Sequence, residues 1–122
     1  MPLRYEIDTA EEQVRVVGAG LLTMPEMIAV VEDVAMDPRF RSCPTVIFDL
    51  RNADYTAELS DGDAFVAALK RRQSDFGNKF ALLVPEHLHV LATLYSVLAS
   101  VGGFDRMKCF TGMQEAQAWC RA

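Results

Sequence analysis

Leu3 to Asp8 alternates Leu, Tyr and Ile with Arg, Glu and Asp, the period of two expected of a strand with one face in a core. Thr9-Ala10-Glu11-Glu12 then reads as a polar turn and Gln13 to Ala19 as a second strand, so the two predict a hairpin. Thr23-Met24-Pro25-Glu26 opens a helix: a capping threonine, a proline whose missing N–H costs nothing in the first turn, and a glutamate placed to bond back. Met27, Ile28, Val31, Val34 and Ala35 give that helix an apolar stripe. Asp37-Pro38 ends it, because the residue before a proline disfavours helical angles.

Thr45 to Leu50 (TVIFDL) has the β-branched and aromatic content of a central strand buried on both faces. A polar loop follows. Ser60-Asp61-Gly62-Asp63 predicts a second helix with Ser60 as N-cap and Asp63 bonding back to it. Its core face would be Ala64, Phe65, Ala68 and Leu69, and Lys70, Arg71 and Arg72 fall near its C-terminus, where cations suit the helix dipole. Lys79 to Val84 (KFALLV) predicts another buried strand, and Pro85-Glu86 begins a third helix reaching about Ser100, with Gly102-Gly103 as its break. Arg106 to Thr111 alternates as a more exposed strand, and a last helix from about Met113 to Cys120 turns Ala116 and Trp119 inward.

The order β-β-α-β-α-β-α-β-α predicts an α/β fold, a mixed five-stranded sheet with four helices. Right-handed crossovers join its parallel strands, and the opening hairpin adds one antiparallel strand. No repeat, linker or low-complexity tract interrupts residues 1–122, so the chain reads as one domain.

Four segments, taken in order, resemble a known family: Asp37-Pro38-Arg39-Phe40, Val46-Ile47-Phe48-Asp49-Leu50-Arg51, Ala81-Leu82-Leu83-Val84-Pro85 and Glu115-Ala116-Gln117-Ala118-Trp119. They look like the STAS domain family of sulfate transporters and anti-sigma-factor antagonists, closest to its short stand-alone bacterial SpoIIAA-like members. The resemblance covers nearly the whole chain and implies a regulatory binding module. In the antagonist branch it further implies a phosphorylated serine after the central strand, in a pattern close to Asp-Ser-Ser-Gly. The matching place here is Ser60-Asp61-Gly62, reached through a longer loop (Asn52 to Leu59) and without the preceding Asp-Ser. A phosphate on Ser60 would meet a favourable helix N-terminus together with repulsion from Asp61 and Asp63. The capping role already accounts for Ser60.

The third helix has an unusual pattern. Leu88, Leu91, Ala92, Tyr95, Leu98 and Ala99 form one apolar stripe, and Val90, Leu94, Val97 and Val101 a second. Only His89, Thr93, Ser96 and Ser100 interrupt the ring, and none carries a fixed charge. A helix lying on a sheet ordinarily has a charged back. Packing of the second stripe against a neighbouring helix accounts for the pattern without any partner. A homodimer contact, or the wall of a groove for an apolar or lipid-like small molecule, accounts for it with one. The surface in question is Val90, Leu94, Val97 and Val101, with Thr93 and Tyr95.

Composition narrows the classes. Of 122 residues, 51% are hydrophobic and 24% charged, a globular balance, and the formal net charge is −5. With no basic run beyond Lys70-Arg71-Arg72, a nucleic-acid partner is not expected. The uncharged stretch from His87 to Phe104 holds two His, several Ser and Thr and a Gly pair, and so predicts a buried helix rather than a membrane span. The N-terminus lacks the apolar stretch of a secretion signal, and Cys43, Cys109 and Cys120 fit free thiols in a reducing cytoplasm.

Candidate chemistry is sparse. Asp49, Glu86 and His87 belong to the carboxyl edge of the strands, where open α/β sheets bind ligands, and would be the acid–base group of an enzyme. Asp49 lies inside a strand and suits bonding loop amides better, and Glu86 suits a helix first turn. His87 and His89 project about 200° apart on a helix and do not grip one metal. No phosphate loop, nucleophile elbow or metalloprotease motif occurs. The expectation is a cytoplasmic, non-enzymatic domain without cofactor or metal that acts by binding, as a homodimer through its third helix. The alternative is an apolar-ligand carrier.

Overall fold

A computed structural model describes residues 3–42, 45–54, 59–71, 79–101, 103 and 106–122. The chain runs β1 (Leu3–Asp8), β2 (Gln13–Leu21), α1 (Met24–Met36), a 3-10 turn (Pro38–Ser42), β3 (Thr45–Asp54), α2 (Leu59–Arg71) and β4 (Lys79–Leu83). A second 3-10 turn (Glu86–Leu88), α3 (His89–Val101), β5 (Met107–Phe110) and α4 (Met113–Arg121) complete it. The five strands form one sheet in the order β1-β2-β3-β4-β5. β1 pairs antiparallel with β2, and the other neighbours pair in parallel.

Alternation along the strands divides the sheet into two faces. Val14, Val16, Val46, Phe48, Leu50, Phe80 and Leu82 point into the main core with residues of α1, α2 and α3. Ile47, Ala81 and Leu83 point the other way, against Ala116 of α4, with Phe110 and Trp119 packed at the margin. Three rings anchor the main core. Phe48 stacks on Phe80 at 5.1 Å, and Phe65 meets both edge-on at 6.3 Å.

Local chemistry sets the bounds of α1. Thr23 and Glu26 form the reciprocal capping box at α1, and Asp37 ends that helix in an extended conformation. Helix α4 is fixed to the sheet by two polar links. Lys79 Nζ donates to the Trp119 and Ala122 carbonyls at 2.6 and 2.7 Å, placing a cation at the helix C-terminus. Gln13, buried in the sheet, exchanges hydrogen bonds with Gln117.

The structure departs from the sequence pattern in several places, among them the third helix, where Glu86–Leu88 form a 3-10 turn and α3 starts only at His89. β3 continues to Asp54, because beyond a register shift at Val17/Ala19 its polar end still pairs with Ala19–Leu21 of β2. β4 has already ended there, so this ribbon needs no apolar side chains on both faces. Helix α2 begins at Leu59, so Ser60 stands within the first turn and is not the N-cap. Nothing about a first-turn serine or aspartate distinguishes it in sequence from a cap. In α2, Val66 rather than Ala64 faces the core.

Candidate interaction surface

Helix α3 lies beside α2 and against β5. Ala92, Tyr95 and Ala99 are buried. On its other side Val90 is 73% exposed, Leu94 46%, Val97 52% and Val101 84%, with Leu98 at the margin at 37%. None of the described elements covers that side, so the second apolar stripe is not consumed by intramolecular packing. Its spacing of four, three and four residues makes a straight seam of the kind that pairs helices.

The polar residues beside the seam do little to wet it. Thr93 Oγ1 donates to the His89 carbonyl at 2.8 Å, and Ser96 Oγ to the Thr93 carbonyl at 2.7 Å. Both hydroxyl protons are thus spent on the helix itself. Tyr95 corrects the expected surface. It is buried against α2, because a residue one position after Leu94 is rotated by about 100° toward the sheet. Ser60, the phosphorylation candidate, has its side chain outside the described residues.

The carboxyl edge does not assemble an acid–base group. Asp49 accepts hydrogen bonds from Arg51 Nε and Nη2, each at 2.9 Å, and also from the Arg51 backbone N–H. Burial pushes the Asp49 carboxyl up, but the Arg51 hydrogen bonds outweigh it and hold the group below the usual carboxylate range. A carboxylate so paired is a weak proton acceptor. Glu86 and His87 are exposed on the second 3-10 turn, and no hydrogen bond or ion pair joins either to Asp49 among the described residues. Beneath α3 lies an apolar cavity of about 30 Å³ among Met27, Leu50, Phe65, Leu82, Leu91 and Tyr95. Ligand sites span about 300–1,000 Å³, so a lipid-like guest needs α3 to move away.

Two further groups are shifted by their surroundings, the second through partners that sequence did not reveal. Cys109 is half-buried behind α3, and burial pushes its thiol up to about 11, which makes it a poor nucleophile. Tyr5 donates to Asp37, which also takes a bidentate bond from Arg39 at 2.8 and 3.1 Å. The Arg39 side chain foremost, with its backbone N–H and Tyr5, holds the Asp37 carboxyl well below the usual carboxylate range. A depressed folded pKa contributes stability that is present above the unfolded value of about 4 and is lost as pH falls below it. Asp37→Asn is therefore expected to flatten the fall of the urea midpoint below about pH 4 relative to the parent, with little change in slope at neutral pH.

No group of three or more His, Cys, Asp or Glu among the described residues is placed to hold a metal ion. No helix among them is long and apolar enough to cross a membrane.

A mixed sheet with three helices on one face and one on the other, opened by a hairpin, defines a SpoIIAA-like, hence STAS-like, α/β fold. Among solved structures the chain is similar to the crystal structure of an uncharacterized DUF3478-family protein with a SpoIIAA-like fold from Shewanella loihica PV-4. The two are 16% identical with a TM-score of 0.56, over 97% of this chain and 91% of that one. No family model and no curated protein matches the chain.

Proposed function

We propose that this chain is a cytoplasmic, non-enzymatic STAS-like regulatory module that acts by protein binding, as a homodimer through the outer face of α3. The observation that carries this reading is the exposed seam of Val90, Leu94, Val97 and Val101 on a helix with no charged residue from His89 to Val101. Such a face is self-complementary. In an antiparallel two-fold contact Leu94 and Val97 of one copy pack over Val97 and Leu94 of the other, and no like charges meet. The helix is about 20 Å long, so the contact belongs to the small, reversible end of the interface range. Free thiols at Cys109 and Cys120 fit a reducing compartment.

The test is sedimentation velocity over a dilution series. The parent protein is expected to pass from monomer to dimer, and Val97→Glu to move that transition at least about tenfold upward in concentration, since each copy contributes a glutamate to the same apolar seam. Glutamate is a good helix former at an exposed position, so the circular dichroism spectrum stays unchanged. Identical sedimentation of the two proteins at every concentration overturns the α3 interface.

A further inference from the structure

The sheet ends at β1, whose outer edge has no strand partner among the described residues. An open groove of about 490 Å³ follows the second half of β1 and the turn after it, lined by the consecutive residues Tyr5 to Ala10 together with Arg39. Consecutive lining residues mean that the main chain itself, and not one face of the strand, meets this space. An unpaired row of N–H and C=O groups is a template for another strand, and proteins commonly guard it with charges.

The order of side chains on this edge does more than guard it. Leu3-Arg4-Tyr5-Glu6-Ile7 is complementary to its own reverse. Laid antiparallel on a second copy about a two-fold axis at Tyr5, Arg4 falls opposite Glu6 of the other copy at both ends. Tyr5 then faces Tyr5, and Leu3 faces Ile7. Directly opposed opposite charges and aromatic pairs are the stabilising pairs of an antiparallel ladder. Arg4 and Glu6 project from the face that α4 leaves open at this side of the sheet, and Glu6 already stands opposite Arg15 of β2. Pairing would therefore extend a row of alternating sign, Arg15, Glu6, Arg4, across the junction. A register shifted by two residues places Glu6 against Glu6, so charge selects the first one.

We infer that the β1 edge is a second self-association surface, on which a second copy of this chain pairs strand to strand in the antiparallel Tyr5-centred register, continuing the sheet from one copy into the next. This edge is opposite the β5 side, against which α3 packs. A chain carrying two distinct two-fold surfaces assembles beyond a dimer, into a closed tetramer or an open row.

The test is made in Val97→Glu protein, so that its outcome is independent of the α3 reading, with association read by sedimentation and hydrogen exchange read at Leu3 to Ile7. Arg4→Glu and Glu6→Arg, each added singly, oppose like charges at both ends and are expected to weaken the residual association about tenfold. The double exchange Arg4→Glu with Glu6→Arg regains it. An equimolar mixture of the two single variants associates, because the two carboxylates on the edge of one variant then face the two guanidinium groups on the edge of the other. The mixture leaves each fold as it was, so only a contact between copies responds. The proposal is overturned if the mixture sediments as its separate components do, or if the Leu3 to Ile7 amides exchange at a rate independent of concentration.

Discussion

Phe48→Ala is expected to cost about 3–5 kcal/mol of stability and to lower the thermal midpoint by roughly 10–25 °C, the largest effect of any single truncation in this chain. Phe48 sits on the central strand with no exposed surface, stacked on Phe80 and edge-on to Phe65. Removing its ring takes away the transfer energy of a large side chain and one member of two aromatic contacts at once. It also leaves a cavity that β3 cannot collapse to fill, because β2 and β4 hold that strand in register on both sides. Scanning calorimetry or urea titration gives the answer directly. A loss below about 1.5 kcal/mol would mean that the cluster repacks as freely as a surface site. Phe65 carries α2 against the same ring, so this loss propagates to the helix that supports α3.

Why the core was legible in sequence and much else was not follows from the range of the interactions. The Phe48 strand announces itself because both of its faces are buried, which leaves a nearly unbroken apolar run. The two stripes of α3 separate because each step along a helix turns about 100°. Val90, Leu94, Val97 and Val101 therefore share one direction, whatever the rest of the chain does. The same arithmetic should have removed Tyr95 from that surface, since it shares the direction of Leu91, Ala92 and Ala99. What local pattern does not contain is the choice of distant partners. Gln13 and Gln117 are 104 positions apart, and Lys79 reaches the carbonyls of Trp119 and Ala122. Nothing near Tyr5 in sequence points to Asp37. The polar end of β3 reads as a loop for the same reason, its strand character coming from β2 alone.

The exposed seam and the free β1 edge differ in this respect. A seam is visible as a helix with no charged side. An edge is visible only when the order of strands is known, because the alternation of Leu3 to Asp8 is the same for an edge strand as for an inner one with one wet face. Charge order on β1 acquires meaning only after the sheet is shown to stop there.

Gly62→Val is the second large effect, at about 2–4 kcal/mol, with a sign opposite to what helix propensity alone gives. A glycine inside an exposed helix costs about 1 kcal/mol relative to alanine, so replacing it ordinarily helps. Gly62 is not exposed. A Cβ there would lie 2.6 Å from two atoms of the Tyr95 ring, well inside contact distance, and Tyr95 is itself buried. The absence of a side chain at Gly62 is what lets α2 and α3 approach closely. In sequence the same residue stands in the Ser60-Asp61-Gly62 segment that resembles a phosphorylation motif, and the close approach gives its glycine a packing reason. A valine must push the ring, or α3 as a whole, away from α2. The coupling is measurable by a double-mutant cycle with Tyr95→Leu, whose slimmer, flexible side chain makes room. The penalty of Gly62→Val is expected to fall by about 2 kcal/mol in that background. If Gly62→Val costs the same with leucine as with tyrosine at position 95, the ring is not what the glycine accommodates. If α3 is displaced as expected, the seam on its far side moves with it, and the dimer is expected to weaken in step with the stability of the α2–α3 contact.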